Sequence, residues 1–163
     1  MGFYAPDSSS RGTALSRPQS PLVCHGLERI AIVRGAVRVL VVEDFEPFLE
    51  FISSTLRERS GLQVIGEVSD GLEAVQKAVE LKADLILMDI GLPSLNGIEA
   101  ARQIRELVPE SKIIFFSQEH SADVVQEALS FGAWGYVVKR SAGTDLLAAV
   151  DAVILGKRFV SSA

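Results

Sequence analysis

The chain has 163 residues, enough for one domain with a substantial core and too few for two ordinary ones. At 48% hydrophobic, 23% charged and 7% aromatic, its composition excludes a chain disordered or fibrous throughout. A formal charge of −5 argues against a broad nucleic-acid surface, and no run approaches the roughly 20 apolar residues that span a bilayer. The charge is uneven: residues 1–37 hold four arginines against Asp7 and Glu28, so the remainder carries −7 and invites cations.

Residues 1–36, with Ser8, Ser9, Ser10, Pro18, Ser20 and Pro21, read as a flexible tail. It has no apolar core of a signal peptide, and Cys24, the single cysteine, has no partner for an internal disulfide. A cytoplasmic location is the expectation. Ile30 to Val33 is a short apolar run that suits an added strand, a helical turn or a segment leaning on the domain.

From Val37 onward, short apolar runs alternate with amphipathic segments. Arg38 to Val42, Gln63 to Val68, Leu85 to Met88, Lys112 to Phe116 and Trp134 to Val138 read as buried parallel strands. Helical spacing separates them: Phe48, Leu49, Ile52, Leu56; then Ala74, Val75, Ala78, Val79; then Ile98, Ala101, Ile104, Val108, ended by Pro109. Val124, Val125, Ala128, Leu129 and Leu146, Leu147, Val150, Val153, Ile154 complete the set, with Gly132 and Gly156 placed as C-terminal caps. The pattern predicts (βα)5, a doubly wound parallel sheet in a three-layer α/β/α domain over residues 37–158. Residues 159–163 are left as a C-terminal tail or the start of a linker.

In an open parallel sheet, ligands bind beyond the carboxyl ends of the strands, where the strand order reverses. The residues found there are Glu43 and Asp44, Asp89, Ser117 and Lys139. Each has an ordinary explanation alone: loop residues and the next helix's N-cap for Glu43 and Asp44, a helix cap for Ser117, a turn for Asp89, a solvated surface amine for Lys139. Together they assemble three carboxylates, a hydroxyl and an ammonium at one edge. Carboxylates clustered in a crevice repel one another unless a cation is present, and oxygen ligands completed by water suit Mg²⁺. With the metal bound, Asp89 is free to act as a nucleophile toward phosphorus, Lys139 to hold a phosphoryl oxygen and Ser117 to donate to another.

The segments Val39-Leu40-Val41-Val42-Glu43-Asp44, Leu87-Met88-Asp89-Ile90-Gly91-Leu92-Pro93, Asn96-Gly97, Phe116-Ser117 and Tyr136-Val137-Val138-Lys139 resemble, in order and spacing, response-regulator receiver domains. The resemblance covers about residues 38–158. It implies a flavodoxin-like strand order of 2-1-3-4-5. It also implies that Asp89 accepts a phosphoryl group from a sensor histidine kinase or a histidine phosphotransfer protein. Glu43, Asp44, Asp89 and the Gly91 carbonyl would bind Mg²⁺, and Ser117 and Tyr136 would form a switch pair, the ring turning inward as the hydroxyl moves to the phosphate. Such a protein is a switch in two-component signalling rather than a turnover enzyme, and it can pair with a second copy on phosphorylation.

Gly132 to Lys139 and Gly156 to Ser161 bring the resemblance closest to receivers that precede LuxR-type helix-turn-helix domains. The chain stops at Ala163, which fits a single-domain regulator or a piece of a longer one, with no direct nucleic-acid binding of its own. Gln118 replaces the small residue usual after the hydroxyl position, and Gly91 and Glu119 flank the site, so these three are candidates for controlling access to Asp89. Two other readings compete: a degenerate receiver that serves only as an interaction module, and a flavin-binding flavodoxin. Glu43-Asp44-Phe45-Glu46 would repel a flavin phosphate, and no Gly-x-x-x-x-Gly-Lys-Ser/Thr loop is present for a nucleotide hydrolase. His25 and His120 lack ligand spacing, and Trp134 reads as packing.

Overall fold

The structure, a computed structural model, describes residues 35–162. The sequence expectations for the leader, including Ile30 to Val33, Cys24 and His25, lie outside the described residues.

Strands and helices alternate: β1 (Val37–Val42), α1 (Glu46–Arg57), β2 (Leu62–Val68), α2 (Gly71–Leu81), β3 (Leu85–Asp89) and α3 (Gly97–Leu107). Then come β4 (Lys112–Ser117), α4 (Ala122–Ser130), β5 (Gly135–Val138), α5 (Ala142–Ile154) and β6 (Phe159–Val160), with a 3₁₀ turn at Lys139–Ser141 leading into α5. The five expected strands and five expected helices are all present. Strand three extends through Asp89 and strand four through Ser117, while strand five begins one residue late, at Gly135.

The sheet order is β2-β1-β3-β4-β5-β6, with every neighbouring pair parallel. Within the stretch expected as a C-terminal tail or the start of a linker, Phe159–Val160 form a sixth strand: Phe159 pairs with Gly135 and Val160 with Tyr136. Two residues are too few to announce a strand by alternation. Pairing is settled by the open edge of β5 and by the turn at Gly156, whose φ of +79° lets the chain leave α5 and return to the sheet.

Alternation along each strand divides the core into two slabs. Leu40, Val42, Ile86, Met88, Phe115 and Tyr136 pack with Ala74, Ala78, Ala101, Ile104 and Ala128 of α2, α3 and α4. Val39, Val41, Leu85, Leu87, Phe116 and Val137 pack with Ile52 and Leu56 of α1 and Leu146, Val150 and Val153 of α5. Strands buried on both faces explain the continuous apolar runs that marked them in the sequence. Among the described residues, no helix is long and apolar enough to cross a membrane.

Candidate functional site

The reversal of strand order falls between β1 and β3, so the chain leaves their carboxyl ends in opposite directions and opens a crevice there. Glu43 follows β1, Asp89 ends β3 and Lys139 follows β5. Strand parity turns Asp89 toward the slab that holds Leu85 and Leu87, on the α1 and α5 side. Lys139 Nζ bridges two carboxylates, lying 3.1 Å from Asp89 Oδ1, 2.8 Å from Glu43 Oε2 and 3.0 Å from Glu43 Oε1. The contact to Oε1 is the well-aligned hydrogen bond. Oε2 is close to the ammonium yet buried without a directed donor.

Glu43 and Asp44 lie in the loop after β1, but Asp44 is not a helix cap and Lys139 is not a surface amine. Phe45, not Asp44, occupies the N-cap of α1, with no side-chain cap and Pro47 in the first turn. Glu43 Oε1 also accepts from the Phe45 amide, at 3.1 Å. Lys139 is largely buried rather than a solvated amine. Glu43 is 1% exposed and Asp89 7%, while Asp44 is open to solvent. One oxygen from each of Glu43, Asp44 and Asp89 lies within 4.8 Å of the others.

The electrostatics match this burial. Desolvation, reinforced by the Asp89 charge, pushes the Glu43 carboxyl above its ordinary range despite the Lys139 hydrogen bond. Burial by itself would lower the Lys139 ammonium, but its hydrogen bonds and charge attraction to Glu43 and Asp89 together outweigh that and raise it. A buried Glu43 with one undirected oxygen, beside two more carboxyl groups, is a donor set that suits a small divalent cation.

Ser117 and Tyr136 sit on the opposite face of the sheet, with the α2, α3 and α4 slab. Ser117 Oγ accepts from the Glu119 amide at 3.0 Å, and the Tyr136 hydroxyl donates to the Glu119 carbonyl at 2.8 Å. Tyr136 is fully buried, which raises its phenol above the usual range. Its ring therefore lies inward. Glu119 serves this arrangement through its backbone, while its side chain is exposed, as is Gln118. Gly91 passes close to the nucleophile candidate: a Cβ built there would stand 3.4 Å from Asp89 Oδ2.

Neighbouring loops hold the β3 end in place. Gly97 N donates to Ile90 O at 2.8 Å and Ile90 N to Phe116 O at 3.2 Å. A Cβ on Gly97 would fall 2.1 Å from the Asp89 carbonyl oxygen, so this helix start tolerates no side chain. Asn96 caps α3 by accepting from Glu99 N at 2.9 Å. A separate cavity of about 460 Å³ lies at the other end of the strands, bordered by Val37, Asp84, Leu85, Lys112 and Val153. None of the candidate site residues borders it. Trp134, read as packing, stacks against the second slab with Lys112 Nζ 4.4 Å over its ring.

Two contributors escaped the sequence reading. Phe48, taken as a core-face residue of α1, has its ring centroid 4.8 Å from Lys139 Nζ. Ser161, beyond the expected boundary, accepts from Val138 N at 3.1 Å and donates to Asp145 Oδ2 at 2.6 Å, so it grips the strand that carries Lys139. No local pattern announces either contact, because each joins segments distant in sequence.

The family model described as "Response regulator receiver domain" matches residues 39–151. The response regulator GacA of Pseudomonas viridiflava is 34% identical over 125 residues, covering 77% of this chain and 58% of the relative. The response regulator protein VraR of Staphylococcus aureus (strain Mu3) is 38% identical over 114 residues, covering 70% of this chain and 54% of the relative. The chain thus spans a little over half the length of these curated relatives. Among solved structures, a LuxR-family two-component response regulator from Aurantimonas sp. SI85-9A1 superposes with a TM-score of 0.73 at 31% identity, over 76% of this chain and 89% of that one. The isolated receiver (REC) domain of RcsB from Salmonella enterica serovar Typhimurium, solved with the phosphomimetic BeF3-, gives 0.74 at 25% identity, over 78% and 94%. The strand order, the acidic crevice and these likenesses agree, and the flavin-binding alternative finds no support in them. The chain belongs to the response regulator receiver domains of two-component signalling, on the side of the family that includes LuxR-type regulators.

Proposed function

We propose that this domain is a Mg²⁺-dependent phosphorylation switch in which Asp89 takes a phosphoryl group from a phosphohistidine on a sensor kinase or histidine phosphotransfer protein. The observation that carries the reading is Asp89 at the end of β3, its Oδ1 3.1 Å from the Lys139 ammonium and its carboxylate grouped with Glu43 and Asp44 within 4.8 Å.

Glu43, Asp44 and Asp89, with the Gly91 carbonyl, are the residues that would hold the cation. When bound, Mg²⁺ would offset the charge that gathers on the phosphoryl oxygens. An Asp89 oxygen attacks phosphorus as the bond from phosphorus to the donor imidazole breaks. The imidazole leaves with the electron pair, and Asp89 becomes an acyl phosphate. Lys139, held between Glu43 and Asp89, turns to a phosphoryl oxygen, which trades one anionic partner for another. Ser117 already accepts from the Glu119 amide, so its own proton remains available for a second phosphoryl oxygen. That move draws on the Glu119 backbone, to which Tyr136 is also tied, and so reaches the surface around α4. On this reading Gln118, Gly91 and Glu119 would set how readily water or a donor reaches the acyl phosphate, and Gly91 is the one of them that lies beside the Asp89 carboxylate. A second copy of the chain is one partner for the altered surface.

Incubation with Mg²⁺ and acetyl phosphate should produce a phosphate-shifted band that Asp89→Asn lacks. A chelator should abolish it. Absence of labelling from acetyl phosphate and from phosphohistidine donors alike would leave the interaction-module reading ahead, and labelling in excess chelator would contradict the metal requirement.

A further inference from the structure

We propose that Phe48 is a positioning residue for Lys139, its ring face holding the ammonium at the edge of the Asp89 and Glu43 carboxylates through a cation–π contact. The inference rests on the reading of Asp89 as the phosphoryl acceptor and adds a part that reading does not contain.

Nζ of Lys139 lies 4.8 Å from the centroid of the Phe48 ring, within the range in which the negative ring face attracts a cation. The ring is braced. It stacks on Phe51 at 5.8 Å and 29°, and meets Phe116 edge-on at 5.7 Å and 67°. Phe116 is buried to within 1% on β4, so Phe48 is fixed against the sheet rather than free on the helix. Lys139 has only 15% of its side chain exposed, so little water competes for the ammonium.

The chemistry makes an uncharged partner useful. Both anionic partners of Lys139, Glu43 and Asp89, are also the carboxylates that a divalent cation would draw on. As that cation is bound or as phosphorus approaches Asp89, the ion pairs loosen and the four-carbon stem is released to sample other rotamers. An aromatic face does not displace the carboxylate oxygens that a hydrated divalent cation prefers, and it carries no net charge to repel a phosphoryl oxygen. It therefore keeps Nζ beside the reacting carboxylate at the moment when its carboxylate partners are engaged elsewhere. Preorganisation of this kind acts on the transition state.

The test compares Phe48→Leu, Phe48→Met and Phe48→Tyr for the rate of Mg²⁺-dependent labelling by acetyl phosphate, with a double-mutant cycle against Lys139→Met. Leu and Met keep the position apolar, favour helix and lose only part of the Phe volume at a half-buried site, so the packing loss is small beside the loss of the ring face. The contact predicts labelling slowed roughly five- to thirtyfold in both, near-normal labelling in Phe48→Tyr, and no further slowing by Phe48→Leu once Lys139 is Met. Wild-type rates in Phe48→Leu, equal slowing in Phe48→Tyr, or additive losses in the cycle would overturn it. The same cycle read as melting temperature in metal-free protein decides the contact separately from the chemistry. Wild-type protein that takes no label would sink the phosphoacceptor reading, while zero coupling in that melting cycle would sink the Phe48 contact.

Discussion

The charge of Glu43 is disfavoured by its surroundings. Its folded carboxyl titrates above its ordinary range because burial and the neighbouring Asp89 disfavour ionisation more than Lys139 favours it. A raised folded value means that Glu43 supports folding fully only below its unfolded pKa and loses that support as pH rises through the folded one. Ionising Glu43 is therefore a cost to the metal-free fold. Glu43→Gln should raise the melting temperature of metal-free protein at pH 7, and the gap from wild type should close as pH falls toward the ordinary glutamate range. Thermal melts at several pH values check both. On the proposed reading Mg²⁺ should offset this cost in the wild type, since a ligand at ten times its Kd adds about 1.4 kcal/mol of stability. That gain should shrink sharply in Glu43→Gln. Tyr136→Phe removes the donor to the Glu119 carbonyl and should cost about 1 kcal/mol, with labelling of Asp89 still proceeding, because the phenol touches neither Asp89 nor Lys139 in the hydrogen-bond network.

At the scale of elements, the loops matter as much as the strands, because they aim the strand ends. Gly97 opens α3 directly against the backbone of Asp89, and Gly97→Ala should displace the β3 end and depress labelling far more than an alanine elsewhere in α3. Mutant labelling set beside circular dichroism separates a moved site from an unfolded chain. Lys82 closes α2 with a left-handed backbone, φ 48°, and its side chain is exposed. Lys82→Gly should therefore stabilise the domain by up to about 1 kcal/mol, as read in denaturant melts, since glycine adopts that conformation without the Cβ clash. The helices and five strands were legible because periods of about 3.6 and runs buried on both faces leave marks in a single segment. The sixth strand left none. Phe159 and Val160 become a strand because β5 presents an open edge, and Ser161 completes the join by taking the Val138 amide. Ser161→Ala should leave that buried amide unsatisfied and cost about 1–3 kcal/mol, observable as a lower melting temperature.

For the whole molecule, the decisive fact is the distance in sequence between groups that meet. Lys139 bonds Glu43 across 96 positions and Tyr136 reaches Glu119 across 17. The sequence by itself determined the three-layer α/β class, the order of elements and the set of strand-end residues, because these follow from local apolar periodicity and from the rule that parallel sheets expose their chemistry at the carboxyl edge. It also named Glu43, Asp44, Asp89, Ser117, Tyr136 and Lys139 together, through motifs whose order is itself informative. Tertiary structure alone decided how those residues divide: Glu43, Asp89 and Lys139 with Phe48 above the α1 and α5 slab, Ser117 and Tyr136 with the Glu119 backbone on the other face. It decided that Lys139 is an internal ion-pair partner rather than a surface amine, and that the sheet gains β6. The physical reason is common to all of these. Burial, hydrogen-bond alignment and charge compensation depend on what surrounds a side chain in three dimensions, and that surrounding is supplied by segments that strand pairing brings together.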